Sequence, residues 1–202
     1  MENLIQVFGK YVLLTPFLKS ETEQMFQWRN SKDFINLCTN RRYAVTYSEF
    51  ISELEYDFYH SRHEQYIIRR KYDLTPIGTI FSYEYNHSDG FVFITTFISS
   101  QFKNSLFGVE AHLLMIYQLF FRFEGLFKIY CDVYFGNKTS LSLLKRGGYE
   151  IEGIFKNQKK NVDNSREDVI RLAVDSSKRD YILDFLFRIS NTLPRIESFK
   201  VP

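Results

Sequence analysis

The stretch from Phe91 to Tyr149 constrains this 202-residue chain most, because its hydrophobic period changes from strand to helix twice in succession. FVFITTFIS reads as an apolar strand ending at Ser99, and Gln101–Gly108 as a sharp turn. Phe107–Phe123 follows as a helix that is apolar almost all round, with Ala111, Leu114, Met115 and Leu119 at helical spacing, and Gly125 ends it. Phe127–Phe135 is a second strand with Ile129, Cys131 and Val133 on one face. A short helix capped by Asn137 or Thr139 then runs to Lys145, where Gly147-Gly148 stops it. A strand that feeds a tight turn and then a helix N-terminus gathers backbone N–H groups that no intrahelical acceptor can satisfy. The helix dipole adds positive charge at the same point, so such a turn can hold an anion as large as a pyrophosphate without a dedicated side chain.

The flanking segments supply more sheet. Lys10–Phe17 reads as a strand ended near Pro16. A short helix capped by Ser20 follows and ends in Trp28-Arg29-Asn30. Thr46 or Ser48 opens a second helix to about Tyr59, with Phe50, Leu54 and Phe58 on one side. Glu64–Lys71, Ile77–Tyr85 and Phe91–Ser99 form an antiparallel meander, the last two joined through Ser88-Asp89-Gly90. Tyr149–Phe155 and Asp168–Val174 make a final hairpin around a polar loop, Lys156–Glu167, and Ser177–Ser190 is a C-terminal helix. No repeat or low-complexity linker divides the chain, so residues 1–202 are expected to be a single domain, with a core at about 10–175 and a helical extension over 176–202.

Composition narrows the function classes. A formal net charge of +2 gives no strong pull toward nucleic acid or membrane surfaces. The basic groups Arg69-Arg70-Lys71 and Lys156–Lys160 are too short to change that. Cys38 and Cys131 are the only cysteines and lack metal-ligand spacing, so neither a disulfide framework nor a metal is expected. MENLIQVFGKYV has neither the basic start nor the long apolar run of a secretory leader, and no run approaches the roughly 18 apolar residues of a spanning helix. A cytoplasmic location is the expectation.

The central stretch resembles the GNAT superfamily of acetyl-CoA-dependent N-acetyltransferases. The family turn, roughly Ile-x-Pro-x-Tyr-Arg-Gly-x-Gly-x-Gly followed by Glu-Ala, corresponds here to Ile98 through Gly108 and then Glu110-Ala111. The family's Asn-x-x-Ser/Ala-x-x-Leu-x-x-Lys-x-Gly-Phe is matched by Asn137, Ser140, Leu143, Gly148 and Tyr149, with Glu152-Gly153 behind it. The branch it is most similar to holds ribosomal-protein alanine, spermidine and nucleotide-sugar N-acetyltransferases. The resemblance covers about Tyr11–Asp175 and implies an α/β (α+β) three-layer sandwich. Its central sheet would be mixed and mostly antiparallel, of about six to seven strands splayed in the middle, with helices on both faces and one extra C-terminal helix.

The resemblance also implies the chemistry: an acetyl group passes directly from a coenzyme A thioester to a primary amine, with no metal and no covalent enzyme intermediate. The turn Lys103, Asn104, Ser105, Leu106, Phe107 and Gly108 would hold the diphosphate on backbone N–H groups, with Lys103 adding charge. Asn104 and Leu106 stand where the family has glycines, and a left-handed backbone would suit Leu106 poorly. Backbone N–H groups near Phe97, Ile98 and Ser99 would polarise the thioester carbonyl, beside a bulge that admits the pantetheine arm. Asn137 would bond that arm and Ser140 would protonate the leaving thiolate, since Leu144 replaces the tyrosine many relatives carry; plain capping of the helix by Asn137 suits the same pattern. Glu84 is the candidate base, and Tyr83 with Trp28, Arg29 and Asn30 would border the acceptor. Trp28 could equally staple its helix to the sheet. The acceptor would be a small metabolite, an amino sugar nucleotide, a polyamine or a protein N-terminus, and a homodimer is left open. The altered turn and the absent tyrosine keep a second reading alive: a catalytically silent module of the same fold that binds a coenzyme or a protein partner.

Overall fold

The computed structural model describes residues 3–39, 42–60, 62–103 and 105–200, and for 3–4, 58–59 and 199–200 the backbone alone. Asn104 and the side chain of Phe58 therefore lie outside the described parts. The order of elements is β1 (Asn3–Phe8), β2 (Val12–Pro16), α1 (Thr22–Arg29), α2 (Lys32–Leu37), α3 (Tyr47–His60), β3 (Arg62–Arg70), β4 (Pro76–Asn86) and β5 (Phe91–Ile98). Then come α4 (Phe107–Arg122), β6 (Lys128–Tyr134), α5 (Lys138–Arg146), β7 (Glu150–Lys160), β8 (Arg166–Asp175), α6 (Arg179–Ser190) and β9 (Arg195–Lys200).

The nine strands of the described residues join one sheet in the order β7-β8-β6-β5-β4-β3-β2-β1-β9. Every neighbouring pair is antiparallel except β5 and β6, which are parallel and joined by α4, the crossover that a parallel pair requires. Side chains alternate across each strand, and this builds two cores. Tyr66 and Ile68 of β3 pack with α4 and with Ile182 and Leu186 of α6, whereas Ile67 between them packs with Met25, Trp28, Phe34 and Phe50 of α1, α2 and α3. The result is the expected sandwich of three layers.

Three expectations need correction. The sheet has nine strands, not six to seven, because β1 and β9 pair at one edge over Asn3↔Lys200 to Phe8↔Arg195. The extension after residue 175 is accordingly not all helical. The stretch Lys156–Glu167 is mostly strand rather than loop: β7 and β8 reach Lys160 and Arg166, tied across by Lys156–Asp168 at 2.8 Å and Lys159–Glu167 at 2.7 Å. Its polar composition reflects a two-stranded tip exposed to water, not absence of pairing. The short helix α2 was not anticipated; Ser31 caps it by accepting the Phe34 N–H at 3.3 Å.

One buried carboxylate ties α4 to the sheet. Glu110 is fully buried and accepts the N–H groups of Lys10 (2.8 Å), Tyr11 (2.7 Å) and Val12 (2.8 Å) from the β1–β2 connection. The approach is so close that a Cβ at Gly9 would lie 2.7 Å from the Glu110 carboxyl carbon, which explains the glycine. This clamp fixes the start of α4 relative to the strands.

Candidate active site

β5 and β6 pair only over Phe91↔Lys128, Val92↔Ile129 and Phe93↔Tyr130, although β5 continues to Ile98 and β6 to Tyr134. Beyond Phe93 the strands part, and a cleft of about 360 Å³ opens between them. Its walls are Ile94–Ile98 of β5, Cys131–Tyr134 of β6, the turn at Lys103, Ser105 and Gly108, and Asn137, Ser140 and Leu144 of α5.

The backbone of β5 has a defined phase. Ser99 donates its N–H to the Ile77 carbonyl at 2.9 Å, and the register with β4 is regular from Gly78↔Ile98 to Tyr83↔Phe93. Peptide groups alternate sides along a strand, so those of Thr95, Phe97 and Ser99 face β4, while those of Thr96 and Ile98 face the cleft. The Cys131 thiol, 3.5 Å from the Ile94 carbonyl oxygen, shows the same phase. The assignment of thioester polarisation to Phe97, Ile98 and Ser99 is therefore corrected: only Ile98 aims its N–H into the cleft, joined by Thr96, which the sequence reading missed. The expected bulge near Phe97–Ser99 is also absent; the irregularity between β4 and β5 falls between Tyr83 and Asn86, where Glu84 has φ +52°. The side chain of Phe97 belongs to the opposite core, against Phe34 and Trp28 at ring separations of 5.1 and 6.1 Å.

At the turn, Leu106 sits at φ −71°, ψ −7°, an ordinary right-handed conformation, so its departure from glycine strains nothing. Among the described residues, the N–H groups of Ser105, Leu106, Gly108 and Val109 have no acceptor. The Phe107 N–H reaches the Ser105 hydroxyl at 3.4 Å, and that hydroxyl donates to the Phe102 carbonyl at 2.7 Å. The Lys103 N–H is used internally, on the Ser100 carbonyl, and its ammonium pairs with Asp33 of α2 at 2.8 Å. The Leu106 side chain is exposed, and neither it nor Phe107 lines the cleft.

Across the cleft, Asn137 Oδ1 accepts the Ser140 N–H at 3.2 Å, so Asn137 caps α5. Its amide nitrogen is not needed for that bond. The cleft floor is a neutral hydrogen-bonded cluster: His112 Nδ1 lies 2.9 Å from Thr96 Oγ1, and His112 Nε2 lies 3.0 Å from the Tyr149 hydroxyl. Cys131 Sγ is 3.6 Å from that hydroxyl. Burial lowers the His112 pKa to about 4 and pushes the Cys131 thiol up to about 12, against the opposing bond from Tyr149. Burial raises Tyr149 as well. Near neutral pH no member carries charge, which makes the floor a poor source of nucleophile and a good wall for an uncharged arm.

A larger groove, about 1420 Å³, lies between the α1–α3 layer and the exposed faces of β4, β6 and β8. It meets the cleft at Thr95, Asp132 and Tyr134, which border both spaces. Tyr83 and Glu84 line it. Of the helix-end trio only Arg29 does; the residue is 4% exposed, and its guanidinium is held by Glu53 at 3.0 and 3.2 Å. Trp28 is buried in the core, and Asn30 pins the backbone of Val45 through two 2.9 Å bonds. Both act on the scaffold, and neither borders the groove. Arg42, Arg62, Asp132, Tyr134 and Arg171 do, and sequence reasoning found none of them. Tyr134 carried one usable signal, as the last residue of the strand that leads into the Asn137 cap.

No family model and no curated protein sequence matches the chain. Solved structures do match it in fold. Spermidine N-acetyltransferase from Vibrio cholerae, solved with CoA and spermine, superposes with a TM-score of 0.73 at 16% identity, over 85% of this chain and 99% of that one. A GNAT-family acetyltransferase from Bacillus anthracis gives 0.71 at 14% identity over 85% and 99%. A GCN5-related N-acetyltransferase from Brucella melitensis gives 0.70 at 18% identity over 90% and 85%. The chain therefore has the GNAT fold, by structure rather than by sequence.

Proposed function

We propose, from that fold and from the open cleft within it, that the protein is an acetyl-CoA-dependent N-acetyltransferase acting on a primary amine. The observation that carries this reading is the coincidence of parted strands with a turn in which the N–H groups of Ser105, Leu106, Gly108 and Val109 have no acceptor among the described residues. The N–H groups of Ser105, Leu106, Gly108 and Val109 bind the diphosphate at the positive end of α4. Thr96 and Ile98 pair their outward peptide groups with the pantetheine arm as a missing strand would, and one of their N–H groups polarises the thioester carbonyl. Asn137 orients the arm through its amide nitrogen. Acetyl-CoA supplies an activated acyl group on a thiolate leaving group. The amine nitrogen, entering from the groove past Thr95, bonds to the carbonyl carbon as the carbon–sulfur bond breaks. Glu84 or water takes the ammonium proton, and Ser140 or water returns one to the sulfur. Glu84 suits the role of base because it stands on the groove wall with no ion-pair partner among the described residues. Pairing of β9 with β1 supports reading residues 1–202 as one catalytic unit.

The test is thermal stabilisation by acetyl-CoA followed by release of free thiol with a panel of amines. Stabilisation with amine-dependent release is expected. Stabilisation with no release from any amine would instead favour the silent module, which Leu144 in place of a tyrosine makes chemically reasonable. No stabilisation at millimolar acetyl-CoA would sink both.

A further inference from the structure

The groove's charges show what kind of amine it suits. Its carboxylates are closed off in pairs: Glu53 with Arg29, Asp57 with Arg62 at 2.7 Å, and Asp132 with Arg171 through two 2.8 Å bonds. Glu49 accepts the Thr46 N–H at the start of α3 at 2.7 Å. Among the described residues Glu84 alone of these groove carboxylates has no partner.

The cations are distributed differently. Among the described residues Arg42 hydrogen-bonds no carboxylate, although Glu167 lies near enough to feel its charge; it donates to the carbonyls of Ile35 (2.8 Å), Asn36 (3.4 Å) and Thr39 and to the Tyr134 hydroxyl (2.7 Å). Those bonds use Nη1 and one hydrogen of Nη2, which leaves the Nε–H and a second Nη2 hydrogen for a ligand. Lys160 has no partner among the described residues and is exposed. Lys159 pairs with Glu167 but also stands 3.8 Å over the Tyr134 ring, with the Arg42 guanidinium 5.0 Å from the same ring. Two cations, Arg42 and Lys159, thus stand on Tyr134, one of the residues that border both groove and cleft, and Lys160 lines the same groove.

We infer that the acceptor is a primary amine that also bears an anionic group, phosphate or carboxylate, seated against Arg42 beside Tyr134 in the groove that Lys160 also lines. The inference rests on the acyl-transfer reading above and narrows its acceptor. A polyamine is disfavoured: it would find one open carboxylate and, in Arg42, hydrogens that suit an anion, whereas an anion there gains charge-assisted bonds and its amine can point to Glu84 and the cleft mouth. The likeness in fold to an enzyme solved with spermine does not carry that substrate across.

The experiment compares thiol release from ethanolamine, O-phosphoethanolamine, β-alanine and spermidine at matched concentration, using the full chain and acetyl-CoA. At least one anionic amine is expected to exceed ethanolamine in kcat/KM by about ten- to a hundred-fold, as one or two charge-assisted bonds would give. Phosphate against carboxylate preference is read from the same set. The advantage should shrink with added salt. In Arg42→Gln and Lys160→Gln the ratio of anionic to neutral turnover should fall toward one through KM. Circular dichroism separates this from misfolding, and Lys160, on an exposed tip, is the safer variant. Spermidine as the best acceptor, or a ratio near one in the parent protein, overturns the inference and leaves acyl transfer standing. Release from no amine overturns both.

Discussion

Replacing Glu110 tests whether the active-site turn is held by a single buried clamp. In Glu110→Ala three backbone N–H groups, of Lys10, Tyr11 and Val12, lose acceptors now 2.7–2.8 Å away, in a place where the carboxylate is fully buried. Each orphaned donor costs about 1–3 kcal/mol, and removing one side of a buried charged network about 3–5 kcal/mol in all, once some water enters. That is a large part of the ~5–15 kcal/mol that stabilises a typical protein. Burial raises the Glu110 pKa while the three N–H donors oppose the rise, so the comparison belongs at pH 8, on the side that favours the ionised carboxylate. With a urea slope of about 2 kcal/mol/M, the midpoint should fall by about 1.5–2.5 M. Glu110→Gln keeps one acceptor oxygen but turns an NH₂ toward a backbone donor, so it should land between. Since the clamp positions the first turn of α4, the folded fraction of either variant should also gain less thermal stability from acetyl-CoA than the parent. A midpoint shift below about 0.5 M for the alanine variant would refute the reasoning, because water would then be replacing the carboxylate almost without cost.

Other residues give separable outcomes. Leu106 lies at φ −71°, so Leu106→Gly should not tighten acetyl-CoA binding, while Leu106→Pro, which fits that φ but deletes a free N–H, should weaken it by about tenfold in a titration. Burial holds the His112 pKa at about 4 against an ordinary 6.5, so the unfolded chain binds a proton first as pH falls. Stability should drop as pH is lowered from 6.5 toward 4, by at most ~3 kcal/mol, and His112→Gln should flatten that slope in pH-dependent urea melts. An imidazole that titrates by NMR near 6.5 would contradict it. Trp28→Ala should cost ~3–5 kcal/mol of stability through the lost Phe97 contact, with KM for the amine nearly unchanged in the folded fraction. A KM effect without a stability loss would return Trp28 to the acceptor site.

The parts of the fold legible in the sequence are those whose periodicity one burial face imposes. α4 buries Ala111, Leu113, Leu114, Met115, Ile116, Leu119 and Phe120, so its pattern could hardly mean anything else. β7 is legible as far as Phe155; beyond it Lys156, Asn157, Gln158 and Lys160 are all polar and exposed, so alternation vanishes and the rest of the strand looks like a loop. β1 and β9 need each other at the sheet edge, and neither announces a partner nearly two hundred residues away. The site divides along the same line. The turn's free amides follow from local chain order, because a strand, a turn and a helix N-terminus expose them wherever they occur. Which peptide groups of β5 face the cleft depends on the Ser99–Ile77 bond, a tertiary register that composition cannot fix, and so Ser99 was misassigned and Thr96 overlooked. Charge was least legible of all. Arg69, Arg70 and Lys71 looked like a basic patch, yet Glu21, Asp73 and the Gly9 carbonyl occupy them, whereas Arg42 is bonded among the described residues to carbonyls and the Tyr134 hydroxyl rather than to a carboxylate. A cation's availability depends on what the folded chain leaves opposite it, and in this groove Arg42 keeps its Nε–H and one Nη2 hydrogen unused among the described residues.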